Sequence, residues 1–217
     1  MAEHTTSHDR KPCTVPDALP ATSFSPRSVS PMNPDHRRRA PDAIDHNYPM
    51  QIRPVRQAEL PLLQDIERDA GRWFFDIGMP EIAEDEPLPL DELLRYHRAG
   101  RAWVATDHAD VPVGYLIVDI VDGNFHIEQV SVHPRSARRR VGRQLLDHLA
   151  GQATATRIPA LTLTTFADVP WNAPYYTRCG FTTLDDNNLT PGLRAVRHRE
   201  AAHGLDRWPR VCMRRDL

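Results

Sequence analysis

The stretch from residue 125 to residue 165 limits the fold more than any other part of the chain. Residues 125–132 (FHIEQVSV) are rich in β-branched and apolar side chains and run into a basic turn, HPRSARRR. Over residues 139–154, Val141, Leu145, Leu149 and Ala153 recur at every fourth position. That is the spacing of one buried helical face. Residues 159–165 (PALTLTT) then read as another strand. Strands joined through a helix of this length pair in parallel, by a right-handed crossover.

The flanking sequence completes a mixed sheet. Upstream, residues 50–55 read as a short strand. Residues 57–70 read as a helix with apolar positions at 60, 63, 66 and 70, and residues 72–75 (RWFF) start a second short helix. Residues 78–89 read as a loop carrying Glu81, Glu84, Asp85 and Glu86, and residues 90–98 as a helix stopped by Gly100. Residues 102–106 and 113–121 are strands, and Asp122-Gly123 followed by Asn124 is a strong hairpin signal before the strand at 125. Downstream come a short helix (172–179), a strand (180–184), a helix (193–202) and a final strand (210–214). The expected architecture is α/β of the α+β kind. It is a mostly antiparallel mixed sheet of seven strands, with strands 4 and 5 parallel and helices on both faces.

Composition separates this unit from what precedes it. Residues 1–49 hold 8 of the 20 prolines, and their six acidic and six basic side chains cancel. Such a segment buries too little apolar area to offset its ordering entropy, so it is expected to be a disordered tail before a domain over 50–217. Its His36-Arg37-Arg38-Arg39 cluster reads as a solvated basic patch more readily than as a nucleic-acid contact. The opening MAEHTTSHDRKPC lacks the apolar core of a secretory signal, and no apolar run reaches the length of a membrane span. Net charge is -2, so no global pull toward nucleic acid or acidic membranes is expected. Cys13, Cys179 and Cys212 are scattered and odd in number, which favours a reducing compartment, and the expected location is cytoplasmic.

Three segments carry chemistry. The basic turn with Arg138, Arg139, Arg140 and Arg143 opens a helix, where backbone N–H groups and the helix dipole suit a diphosphate; a solvated arginine face is the alternative. Within residues 125–132, Phe125 and Ile127 alternate, and Val130 and Val132 continue out of phase. The slip reads either as a β-bulge at Glu128-Gln129 or as a strand buried on both faces. In WNAPYYTRCGF (171–181), a short helix carries Tyr175 and Tyr176 and ends at Gly180. One tyrosine is expected toward the core and the other toward a cleft, although core packing accounts for both.

In order and spacing these segments resemble the GNAT superfamily of acetyl-CoA-dependent N-acetyltransferases, over roughly residues 50–217. Val132-His133-Pro134 followed by residues 138–146 is similar to the family's V-x-P…R-x-x-G-x-G-x-x-L-L segment, and residues 175–181 (YYTRCGF) to its F-Y-x-x-x-G-F segment. The chain departs at Arg140, where the first glycine would stand, and only Gly142 keeps one. It departs also at Ala137, where the family has Gln or Arg, and at Val169, where an asparagine often stands.

The resemblance implies a fold with the fourth and fifth strands splayed around the cofactor. It implies acetyl transfer to a primary amine of a small molecule by direct attack in a ternary complex. Glu128, directly or through a water, would be the base, the Val130 N–H the oxyanion donor and Tyr176 the acid. The pantetheine arm of acetyl-CoA would pair with Val130 and Val132. Its diphosphate would rest on Arg138, Arg139, Arg140, Val141, Gly142 and Arg143, with Asn172 taking over a further cofactor contact. The acceptor side would be built by residues 72–89 and 185–206. A GNAT-like module that senses acyl-CoA or another ligand without turnover is the alternative. No metal is expected, since His198, Glu200 and His203 lack a zinc spacing. A homodimer remains open.

Overall fold

The computed structural model describes residues 50–217; the expected disordered tail over 1–49 lies outside the described residues. In chain order the elements begin β1 (Gln51–Pro54), α1 (Leu60–Gly71), α2 (Pro80–Ala83), α3 (Leu90–Arg98), β2 (Ala102–Thr106), β3 (Pro112–Val121) and β4 (Asn124–Val132). They continue α4 (Val141–Ala155), β5 (Ala160–Phe166), α5 (Ala173–Arg178), β6 (Thr182–Leu184), α6 (Pro191–Ala202) and β7 (Arg210–Asp216). The strands form one sheet in the order β1-β2-β3-β4-β5-β7-β6. All neighbours are antiparallel except β4 and β5.

Local chemistry explains the first half of the sheet. Asp122 and Gly123 both have positive φ (49° and 77°), the backbone of a two-residue hairpin whose twist matches its strands. Asp122 also accepts hydrogen bonds from Thr190 Oγ1 and, at 2.9 Å, from the Gly192 amide, which ties the start of α6 to this hairpin. Gly114 on β3 allows a close approach: a Cβ there would lie 3.0 Å from the Ser131 carbonyl oxygen and 3.1 Å from Val141 Cγ1. The first residue of α4 thereby seats directly against the sheet.

Apolar burial divides the two faces. Phe125, Ile127, Val130 and Val132 of β4 join Leu145, Leu146 and Leu149 of α4 and Tyr175 and Tyr176 of α5 in one core. Leu63 and Ile66 of α1, Leu93 and Tyr96 of α3, and Tyr115 and Ile117 of β3 form a second core on the opposite face. A third cluster joins Phe74, Met79 and Ile82 to Phe166, Trp171 and Leu205 at the end of β5.

Element bounds differ from the sequence reading by a few residues in places, and two differences have a local cause. Residues 78–89 contain the short helix α2, started by Pro80 at its first position and held because Met79 and Ile82 pack on Phe74. Residues 72–77, read as the start of a short helix, do form one, of the 3₁₀ kind. The long helix begins at Val141 instead of residue 139, because Arg138 and Arg140 both have positive φ (63° and 58°) and cannot belong to it.

Candidate active site

The sheet opens in the middle. β4 and β5 pair only at Phe125↔Leu161, His126↔Thr162 and Ile127↔Leu163. Beyond Ile127 the strand runs on to Val132, and beyond Leu163 its neighbour runs on to Phe166, with no pairing between them. The fork starts at a bulge. Ile117 pairs with Gln129 and Val118 with Ile127, so Glu128 has no cross-strand position on β3. Of the two sequence readings of this segment, the bulged one holds. The bulge keeps Val130 and Val132 on the same apolar face as Phe125 and Ile127, and this burial is what maintains it.

Ladder phase sets where the backbone points. The His133 amide donates to the Val113 carbonyl at 2.9 Å. Alternate residues of an antiparallel strand bond the same neighbour. Ser131 and Gln129 therefore turn their amides and carbonyls to β3, while Val130 and Val132 turn theirs into the fork.

The basic turn lies just beyond. Arg140 is the N-cap of α4, and the first helical bond runs from the Gln144 amide to the Arg140 carbonyl at 3.0 Å. The amides of Val141, Gly142 and Arg143 thus have no partner within the helix. A cavity of about 530 Å³ is lined by Arg138, Arg140, Arg143, Tyr175, Arg178 and Cys179. Arg143 is also 3.6 Å from Asp147, which Arg215 binds at 2.9 Å, so the cavity keeps an excess of positive charge. Arg139 is exposed and lies outside the cavity lining, while Val141 and Gly142 are buried in the helix start. Burial pushes the Cys179 thiol above its usual range, which keeps it protonated and unreactive.

Tyr176 is fully buried, with its ring edge-on to Tyr175 and Phe181 at centroid distances of 5.7 and 5.8 Å. The expectation that one tyrosine faces a cleft is only half met: both are buried, and Tyr175 is the one bordering the arginine cavity. Asn172 precedes α5 and is wholly buried, and its Nδ2 donates to Thr165 Oγ1 on the unpaired end of β5 at 2.6 Å. Glu128 is half-buried at the bulge.

On the face that carries α1, an open cleft of about 800 Å³ is lined by Asp69, Arg72, Trp73, Phe75, Asp76, His133 and Pro134. His133 Nε2 stands 3.1 Å from Asp69 Oδ2, and its Nδ1 accepts the Arg135 amide at 3.1 Å. Burial and the charge of Arg135 outweigh Asp69 and hold the imidazole below its usual pKa. A neutral ring with its proton on Nε2 satisfies both contacts.

Two buried polar clusters on this face were not singled out from sequence. Tyr115 Oη donates to Glu67 Oε2 at 2.6 Å with both residues buried. Glu67 falls on the apolar side of α1, four residues after Leu63, and that misplaced charge is a signal the sequence did contain. Glu200 of α6 binds Arg210 of β7 at 2.6 Å and Arg197 at 2.7 Å. Burial opposes ionisation of Glu200, but the charge and hydrogen bonds of Arg210, with those of Thr164 and Arg197, hold its carboxyl below the usual range. Among the described residues, no group of three or more His, Cys, Asp or Glu is placed to hold a metal ion. No helix among them is long and apolar enough to cross a membrane.

The family model described as Acetyltransferase (GNAT) family matches residues 62–181, more than half of the chain. Solved structures share the fold at low identity. A GNAT-family acetyltransferase from Staphylococcus aureus Mu50 is 14% identical with a TM-score of 0.61, over 78% of this chain and 99% of that one. The PaiA N-acetyltransferase of Thermoplasma acidophilum, in complex with coenzyme A, is 15% identical with a TM-score of 0.54, over 78% of this chain and 100% of that one. A phosphinothricin acetyltransferase from Sinorhizobium meliloti, in complex with AcCoA, is 18% identical with a TM-score of 0.55, over 77% and 88%. A forked parallel strand pair beside an arginine-ringed helix start thus coincides with a match to one family, and the chain belongs to the GNAT family of acetyltransferases.

Proposed function

We propose that the chain moves the acetyl group of acetyl-CoA to a primary amine of a small molecule, by direct attack within a ternary complex. The fork carries this reading, because it leaves strand backbone unpaired beside an anion-suited helix start. The residues present fit the co-substrate. Val130 and Val132 offer N–H and C=O groups to an amide-bearing arm, as an added strand would use them. Arg138, Arg140 and Arg143, with the amides of Val141 and Gly142, supply charge and donors for a diphosphate, and Arg139 adds charge from the rim. Asn172 acts on this side through β5, which it holds at Thr165.

An alkylammonium of pKa about 10 must lose a proton before it attacks. Glu128, at the mouth of the fork, takes that proton directly or through a water. The Val130 N–H donates to the carbonyl oxygen on which charge builds as nitrogen bonds to carbon. When the carbon–sulfur bond breaks, Tyr176 gives its phenolic proton to the departing thiolate, and the second proton shed by the nitrogen as it becomes an amide makes good that loss, directly or through solvent.

Thiol release from acetyl-CoA against a panel of small amines tests the reading. Glu128→Gln should lower kcat by about 10²- to 10⁴-fold, the range of a general base, with acetyl-CoA affinity little changed by calorimetry. Tyr176→Phe should also lower kcat at constant affinity. Turnover that survives Glu128→Gln unchanged removes the base assignment. Acetyl-CoA binding with no turnover for any amine makes the domain a ligand-sensing module instead.

A further inference from the structure

Two buried polar atoms of opposite character stand on one face of the sheet to either side of the fork, one on β4 and one on β7 next to β5, and the chemistry above uses neither. Gln129 follows the bulge on β4 and pairs with Ile117, so it lies on the face that carries α1. The residue is 1% exposed; its Nε2 donates to Ser131 Oγ at 2.9 Å, and its Oε1 finds no partner among the described residues. Arg210 stands on β7, on the same face of the sheet, with its side chain fully buried. Its guanidinium reaches over β5, bonding Thr164 Oγ1 at 3.3 Å and stacking 4.8 Å above the Phe166 ring. Both residues belong to the part of β5 that has already left β4. Nε and Nη2 bind Glu200 at 3.2 and 2.6 Å, and Nη1 finds no partner among the described residues.

Buried groups of this kind are almost always satisfied, and leaving one bare forfeits its hydration without return. Here a bare acceptor lies on the β4 side of the gap and a bare donor against β5 on the other side. The charges agree with that polarity. Arg197 and Arg210 share the single carboxylate of Glu200, which leaves one positive charge over on the β5 side. The acidic loop offers no comparable cation seat at Glu81, which Arg207 already binds at 3.0 Å.

We propose that these atoms seat the acceptor: Gln129 Oε1 accepts an N–H of the amine, and Arg210 Nη1 donates to an anionic group of the same molecule. The substrate class is then a primary amine that carries a carboxylate. This rests on the acetyl-transfer reading of the fork and deepens it. No covalent step is added; Gln129 and Arg210 position the molecule that Glu128 deprotonates.

The test compares matched probes: glycine with glycinamide, 4-aminobutyrate with 4-aminobutyramide, and phenylalanine with phenylalaninamide. Thiol release from acetyl-CoA gives kcat/KM for each. At least one acid should exceed its amide tenfold or more, whereas ratios near one for every pair overturn the proposal. Arg210→Met takes from Glu200 one of its two arginines and leaves it only Arg197 and Thr164, so it is combined with Glu200→Leu, and that double variant should bring the ratio close to one. If it does not fold, Arg210→Lys keeps the charge beside Glu200 but loses the free donor edge, and must lower the ratio several-fold. A ratio unchanged in whichever variant folds also overturns the seat. If no amine releases thiol, acetyl transfer to these amines fails separately, and the seat is read by thermal shift with coenzyme A present. N-acetylglycine or N-acetylphenylalanine should then raise Tm in the wild type and not in the variant, and no shift refutes the seat.

Discussion

Replacing Arg140 by glycine should move stability and cofactor affinity in opposite directions. Arg140 has φ 58° at the N-cap of α4, and Arg138 has φ 63° two residues before it. An L-residue in the left-handed region costs about 1–2 kcal/mol, and glycine escapes that cost. Glycine also loses more chain entropy on folding, about 0.5–1 kcal/mol. The balance for Arg140→Gly is a gain of about 0–1.5 kcal/mol, with Arg138→Gly similar. Each change also removes a charge from the arginine cavity. A single charge about 4 Å from a phosphate oxygen is worth about 1 kcal/mol in water, which weakens acetyl-CoA binding about fivefold. Neighbouring Arg139 serves as the control. It is exposed, lies outside the cavity lining and is absent from the positive-φ residues, so Arg139→Gly should cost stability and change affinity less. Arg140→Ala isolates the charge, since alanine keeps the backbone penalty. Urea unfolding and calorimetric titration with acetyl-CoA give the two numbers for each variant. If Arg140→Gly destabilised the protein by more than about 1 kcal/mol, or bound acetyl-CoA as tightly as the wild type, strain held in this turn for the sake of an anion would be the wrong account.

Two further outcomes follow from buried and paired carboxylates. Tyr115→Phe removes the 2.6 Å donor to Glu67, leaves a buried carboxyl short of a hydrogen bond, and should cost about 1–3 kcal/mol in urea unfolding; a loss below about 0.5 kcal/mol would mean the hydroxyl contributes nothing there. The hydrogen bond from Arg53 holds the Glu59 carboxyl below its usual range, against a smaller opposing effect of burial. A depressed folded-state pKa adds stability above the unfolded value of about 4.5 and loses it as pH falls through the folded value. The urea midpoint should therefore drop between pH 5 and pH 3, and Glu59→Gln should flatten that drop; an equal slope in both proteins would show the pair to be silent.

Local periodicity carried much of this structure. The hairpin at Asp122-Gly123 was readable because two successive positive-φ positions demand such residues. The bulge at Glu128 was one of two readings the pattern allowed, and the structure selects it: Ile127 and Val130 share one core, and a strand can reach the same face three residues on only by skipping one. The helix α4 announced itself through a four-residue apolar repeat, but not its first residue. Nothing in ARRR shows which arginines turn left-handed, since that depends on how Val141 seats against Gly114.

The family's strand-turn-helix and tyrosine segments were likewise visible, because each is a short run whose spacing is set by one turn of backbone. Contacts between distant segments were not. Thr164, Glu200 and Arg210 meet because β7 inserts between β5 and β6, and Glu67 meets Tyr115 only when α1 lies across β3. The chain's own order therefore determined which elements form and narrowed the strand at 125–132 to two readings. Tertiary packing decided between those two readings, where the sheet opens and which buried polar groups flank the opening, because those depend on segments distant in sequence, as Thr164 and Arg210 are.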